Sequence, residues 1–296
     1  DVSTATAPVE VGVYDTASQW TAGRAGVAIV GDTAFVSTRG MNPEVIAIDI
    51  SDSANPSLVG SVNVPGQEGG IRVVNDTAFV PCGLSGLHLV DVSTPSAMTL
   101  QSELALPNQV RDLYWDGSEL YTANNSLYGL FHVLDASAGG APERVGAFGY
   151  YTFDDAMGVY DALSREGDYL FAGGSSNRLH VFDISDPSAP AYAARSPVLP
   201  HNKLEHVRAA GDIAIVCAGG PTGASVVDIS DPLAPAHLSD LVLSDDAKSS
   251  AIHDDYAYVC ARSRGLNVYD ISSPGSPVLV GGVNTLGFAT DIVIEH

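Results

Sequence analysis

An all-β protein assembled from four-stranded repeats is what this sequence predicts, and three observations predict it. A phrase of the type Asp-Ile-Ser-Asp-Pro recurs seven times along 296 residues. Its spacing is nearly constant, 42 to 48 residues between successive Asp anchors from Asp49 to Asp270. Between the anchors, apolar residues come in short β-branched and aromatic runs with no helical periodicity. A period in the forties without helices is the length of one propeller blade. The expected architecture is therefore a single β-propeller domain over residues 1–296.

Each unit parses in the same order. A hairpin comes first, "GVAIVGDTAFVST" in the first unit and "IRVVNDTAFVPC" in the second, with "GD" or "ND" supplying the turn. A third run then leads into the anchor, as in "LHLVD", "FHVLD", "LHVFD" and "LNVYD". The anchor Asp can accept backbone N–H groups two residues on and close a turn by itself. The Pro that follows fixes φ and removes a donor, which suits the start of an outermost strand such as "PSLVGSV" or "PVLVGGV". Seven anchors spread around a ring cannot converge on one substrate, so their role is structural.

The ends of the chain bear on the blade count. The chain opens with an anchor and a fourth strand, "APVEVGVYD", and closes with "FATDIVIEH", which fits the first-strand template. The expectation is seven blades with the last split between the termini. The alternative is six blades with two terminal strands docked on the ring. The chain begins at Asp1 without Met or a signal-like stretch, as expected of a fragment or of a chain whose leader has been removed.

The runs "LHVFDISDPSAP", "ASVVDISDPLAP" and "LNVYDISSPGSP" resemble the LVIVD repeat of secreted and surface β-propeller proteins. The resemblance covers essentially the whole chain and is weaker in the third and fourth units. It implies the fold and an extracellular, periplasmic or cell-surface location. It brings no catalytic motif, because the residues shared are scaffold ones.

Composition narrows the partners. The chain carries 35 acidic against 13 basic side chains, a net charge of -22, and Lys203 and Lys248 are its only lysines. This argues against nucleic acid and anionic membranes, which reward basic clusters. No apolar run approaches the roughly 20 residues of a membrane-spanning helix. Cys82, Cys217 and Cys260 end apolar strands without metal spacing and read as small buried fillers. No nucleophile elbow, phosphate loop or dinucleotide fingerprint is present, and no motif asks for a cofactor or a resident metal. Two "DDA" runs, at Asp154 and Asp245, could hold Ca²⁺ but lack a spaced ligand loop.

In a repeat protein the residues that break the repeat are the informative ones. On the first strands, Arg72 and Arg208 share one repeat position three blades apart, Arg111 precedes Asp112, and His206 replaces a small or acidic residue. The connections leading into these strands add Glu68, Tyr151, Asp154, His201 and Lys203 on one rim. The fourth unit is read as carrying the largest insertions, "GYYTFDDAM" and "DALSREGDY". Loops beyond the needs of the scaffold and a concave mouth are where binding groups gather. Two functions are carried forward. One is a propeller that binds a small anionic ligand or a protein partner through Arg72, Arg111, Arg208, Glu68, Asp154 and Lys203. The other is a lyase or isomerase on an anionic small molecule, with His201, His206 or Tyr151 moving a proton. Arg72 and Arg208 paired with channel carboxylates would instead be scaffold, and His88, His132 and His180 read as blade-packing residues.

Overall fold

The computed structural model describes residues 1–15, 26–38, 44–66, 70–125, 131–138, 141–149, 160–219, 223–285 and 287–294. Its 24 strands form six four-stranded antiparallel sheets, each a meander in chain order. Blade 1 holds Gly26–Val30 (β1), Thr33–Ser37 (β2), Glu44–Asp49 (β3) and Ser57–Asn63 (β4). Blade 2 holds Arg72–Val74 (β5), Thr77–Pro81 (β6), Leu87–Asp91 (β7) and Thr99–Leu104 (β8). Blade 3 holds Gln109–Trp115 (β9), Glu119–Asn125 (β10), Phe131–Asp135 (β11) and Glu143–Phe148 (β12). Blade 4 holds Tyr160–Glu166 (β13), Tyr169–Gly174 (β14), His180–Asp183 (β15) and Ala191–Arg195 (β16). Blade 5 holds Leu204–Ala210 (β17), Ile213–Ala218 (β18), Ala224–Asp228 (β19) and Ala236–Leu241 (β20). Blade 6 holds Ser249–His253 (β21), Tyr256–Cys260 (β22), Leu266–Asp270 (β23) and Val278–Val283 (β24). First strands of neighbouring blades adjoin one another, so they line the axis.

Two expectations are corrected here. Among the described residues the ring has six four-stranded blades, which is the stated alternative and not the preferred seven. The closing "ATDIVIE" run forms one bridge, Ala289 with Arg262, because no second strand stands beside it among the described residues. The segment "DALSREGDY" is not an insertion: it is the first strand of blade 4, its turn, and the start of the second strand. Its polar residues disguise it, yet Asp161 is buried beside Lys203 and the buried Ser164 hydroxyl accepts the Ala209 amide of blade 5.

The anchor phrase works as its chemistry predicts. At Asp1, Asp49, Asp91, Asp135, Asp183, Asp228 and Asp270, Oδ1 accepts the amide N–H two residues on at 2.8–2.9 Å. In most copies the Ser at that position also donates its hydroxyl to the same oxygen, as Ser185 does to Asp183 at 2.7 Å. These hydrogen bonds favour the charged form and hold the Asp183 carboxyl below the usual range. Asp183→Ala should therefore cost about 1 kcal/mol of stability, read as a lower denaturation midpoint, and leave any ligand at the opposite rim unaffected. An equally stable variant with weakened ligand binding would reverse the assignment of the faces.

Each anchor turn also packs on the blade before it. Every third–fourth strand pair carries a register shift, as between Ala47 and Ile48 or Val268 and Tyr269. At that point the fourth strand passes so close to the next anchor turn that a Cβ on Gly60 would collide with the Pro95 carbonyl, and one on Gly146 with Pro187. Only glycine fits such an approach. The core lies between the blades, with Phe131, Phe148, Phe182, Tyr160 and Tyr192 packed largely edge to face at the junction of blades 3 and 4. Cys82, Cys217 and Cys260 are buried free thiols, and burial pushes Cys217 up to about 12. His88, His132 and His180 are each 1 % exposed, in line with their reading as packing residues.

Candidate functional site

The connections leading into the first strands open on the rim opposite the anchors, and that rim is the candidate site. Arg72 begins β5 and is half-buried; its Nη1 donates to the Ile71 carbonyl at 2.8 Å. Arg208 lies mid-strand on β17 with its side chain exposed. Among the described residues neither guanidinium pairs with a carboxylate. Four other cations do pair with carboxylates. Lys203 Nζ sits 3.0 Å from the buried Asp161, and Lys248 Nζ lies 2.7 Å from Glu205 and 3.3 Å from Asp246. Arg262 reaches Asp246 at 3.3 Å and stacks over Phe288. Arg165 is ion-paired with Asp116 and Glu119 across blades 3 and 4.

The polar residues of the inner strands bind one blade to the next. Asp112 Oδ2 accepts the Leu163 amide at 3.3 Å, and His206 Nδ1 accepts the Ser250 amide at 3.2 Å. Asp291 Oδ2 accepts the Val27 amide at 3.0 Å while its Oδ1 accepts the Ser249 hydroxyl. His206 is thus held by its neighbour blade on the same strand as Arg208. Arg111 is partly buried on β9, beside Asp112.

His201 is elsewhere. Its ring is 4 % exposed, with Nε2 2.8 Å from the Ser225 hydroxyl on β19. Ser225 Oγ donates to Asp240 Oδ1 at 2.7 Å, and His237 meets the same oxygen at 2.9 Å. The hydroxyl proton therefore points at a carboxylate, not at a histidine, and Ser225 is fully buried. This is a polar network inside blade 5 and not a nucleophile–base pair. Burial lowers the His201 pKa against the opposing pull of Asp240.

The structure thus brings Arg208 and His206 onto one strand, sets Arg72 on an inner strand three blades away, and takes His201 into blade 5. Glu68, Tyr151 and Asp154 lie outside the described residues. Of the second "DDA" run, Asp245 accepts the Ser263 amide at 2.9 Å, while Asp246 is held by Lys248 and Arg262. Among the described residues no three His, Cys, Asp or Glu side chains gather as a metal site. One feature of the rim gave no signal in the repeat. A cleft of about 410 Å³ opens between Val242–Ser244 and blade 6, lined by Ser263, Arg264, Asn267 and Tyr269. The Asn267 that lines it replaces the His found three residues before the anchor in blades 2 to 4, a break visible only on aligning third strands.

Solved structures of low sequence identity share the fold. The computationally designed Ika8 protein is 11 % identical with a TM-score of 0.62, over 94 % of this chain and 92 % of that one. A functionally unknown protein from Desulfotomaculum acetoxidans DSM 771 is 14 % identical with a TM-score of 0.67, over 90 % and 86 %. No curated protein matches the chain. Among the described residues no helix is long and apolar enough to cross a membrane. The LVIVD repeat matches residues 23–64, 65–105, 160–195 and 245–285, which contain blades 1, 2, 4 and 6. These segments make up more than half of the sequence, and the chain belongs to the LVIVD-repeat family.

Proposed function

We propose that this propeller acts outside the cytoplasm and binds a small anionic ligand at its channel mouth. One observation carries the reading: Arg72 and Arg208 have no carboxylate partner among the described residues, while Arg165, Arg262, Lys203 and Lys248 each have one. In a chain of net charge -22, two guanidiniums on axial strands that no carboxylate engages stay available to an incoming anion. Arg111 on the inner strand of blade 3 is assigned to the same proposed mouth; Glu68 and Asp154 are kept as rim candidates from the sequence alone. An enzymatic version would have to draw its proton carrier from His206 or Tyr151, because the His201 ring is buried against Ser225.

The test begins with a thermal-shift screen of anionic metabolites, since a ligand of the folded state raises its melting temperature. Arg72→Met and Arg208→Met are then titrated with the best hit. Each should weaken binding about ten- to a hundred-fold, the value of one charge-assisted hydrogen bond. The two losses should add, because the residues sit on separate blades. Unchanged affinity in both variants together with lowered stability would make them scaffold residues.

A further inference from the structure

In blade 5 the position three residues before the anchor is closed from two sides. Ser225 is fully buried there, with His201 Nε2 at 2.8 Å from the loop entering the blade and Asp240 Oδ1 at 2.7 Å on the paired fourth strand. Blades 2 and 4 fill the same position with His88, 3.3 Å from Glu103, and with His180, which meets Ser176 and the Tyr160 ring. Blade 6 is built otherwise at all three places. Asn267 stands at the position of Ser225, and its partner on β24 is Gly282 instead of a carboxylate. His201 lies five residues before His206, and the residue five before the matching Ser249 is Ser244. An imidazole and a carboxylate are thus replaced by a hydroxymethyl group and a hydrogen atom. The cleft of about 410 Å³ opens in their place, with Ser244 on its loop wall and Asn267 half-buried in its floor.

The cleft is held open by its own frame. Tyr269 donates its hydroxyl to the Val242 carbonyl at 2.8 Å, Asp245 accepts the Ser263 amide at 2.9 Å, and Asp246 lies 3.3 Å from Arg262. These bonds tie the entering loop to the turn between β22 and β23, so a ligand need not order either wall. They also engage both carboxylates, while the side chains of Ser244, Arg264, Asn267 and Asn284 make no hydrogen bond or ion pair among the described residues. Val242 and Leu279 add exposed apolar surface to the lining. We propose that this cleft is a second ligand site, separate from the channel mouth, and that it takes a sugar acid such as a hexuronate. Arg264 supplies a planar fork for the carboxylate. Each Asn amide donates and accepts at once, as a hydroxyl group asks of its partner, and the Ser244 hydroxyl does the same. Val242 and Leu279 face the apolar C–H side of the ring, and the volume is that of a small-molecule pocket.

The experiment titrates the whole chain with glucuronate and galacturonate in a calorimeter, with glucose and cyclohexanecarboxylate as controls for the sugar and for the charge. At least one uronate should bind saturably, and each control about ten-fold more weakly or worse. Hydrogen exchange at saturation should slow in residues 242–246 and 262–269. Arg264→Met should weaken the uronate about ten- to a hundred-fold, the loss expected of one charge-assisted hydrogen bond. Ser244→His, which places the imidazole of blade 5 in the cleft, should abolish binding with the fold intact. Absence of binding by both uronates, a control that binds as tightly as they do, or unchanged affinity in Arg264→Met would overturn the proposal. So would protection confined to the axial strands of Arg72 and Arg208, which would assign the uronate to the channel mouth.

Discussion

Acidification from pH 7 to pH 4 should destabilise the ring by several kcal/mol before its surface carboxylates protonate. Burial pushes His132 and His180 down to about 4, with Arg144 and with Arg195 and Arg178 adding to the effect, and it lowers His88 and His201 as well. In the unfolded chain these rings titrate near 6.5. Between about pH 6.5 and 4 the unfolded state takes up protons that the folded state refuses, so stability is complete above that window and lost on descending through it. The anchor carboxylates act in a second window. Hydrogen bonds from the Ser two residues on hold them below the ordinary carboxylate value, so their contribution holds above about 4 and disappears only as the pH falls further. Denaturant midpoints measured from pH 7 to 3 should fall in two steps. His132 offers a direct check, since neither ring nitrogen has a hydrogen-bond partner. His132→Leu should leave stability at pH 7 equal or raised and flatten the upper step. A midpoint that stays level between pH 7 and 4.5 would mean the third-strand histidines are solvated.

The second large effect is expected from Lys203. Removing one partner of a buried ion pair leaves the other charge stranded, at a cost of 3–5 kcal/mol when both are buried. Asp161 is 2 % exposed, whereas water reaches the lysine, so Lys203→Met should cost about 2–3 kcal/mol. Adding Asp161→Asn should recover much of that loss, because no buried charge is then left without its lysine. Denaturant midpoints of the two variants measure both. A single variant as stable as the parent but weaker in anion binding would make Lys203 a ligand residue.

The scaffold was legible because the repeat is written in local chemistry. The anchor turns, the "GD" and "ND" hairpins and the third strands depend on residues within a few positions of one another. The first strand of blade 4 was not legible. Asp161, Ser164 and Arg165 interrupt its apolar pattern, and their partners Lys203, Ala209, Asp116 and Glu119 come from other blades. Position could have found it, since Tyr160 stands 23 residues before Asp183 as Gly26 stands before Asp49. The choice between six and seven blades was open in the sequence for a related reason. A first-strand pattern shows that a segment suits the axis, but a strand exists only where a neighbour offers a ladder. Of the candidate site, the strand positions of Arg72, Arg208 and His206 could be read from alignment. The withdrawal of His201 into blade 5 could not, because it depends on Ser225 and Asp240.

The hydrogen bonds that Asp112, His206 and Asp291 make to the following blade have a consequence for how the molecule comes apart. They couple blade 3 to blade 4, blade 5 to blade 6 and the closing run to blade 1, and with the shared apolar clusters they make the protein a nearest-neighbour array. Among the described residues its least tightly packed junction is that of blades 6 and 1, which share no single apolar cluster. Local opening is expected to begin at that junction and to spread from it. Opening free energies should therefore climb from blades 1 and 6 toward blades 3 and 4, where the aromatic junction lies farthest from it.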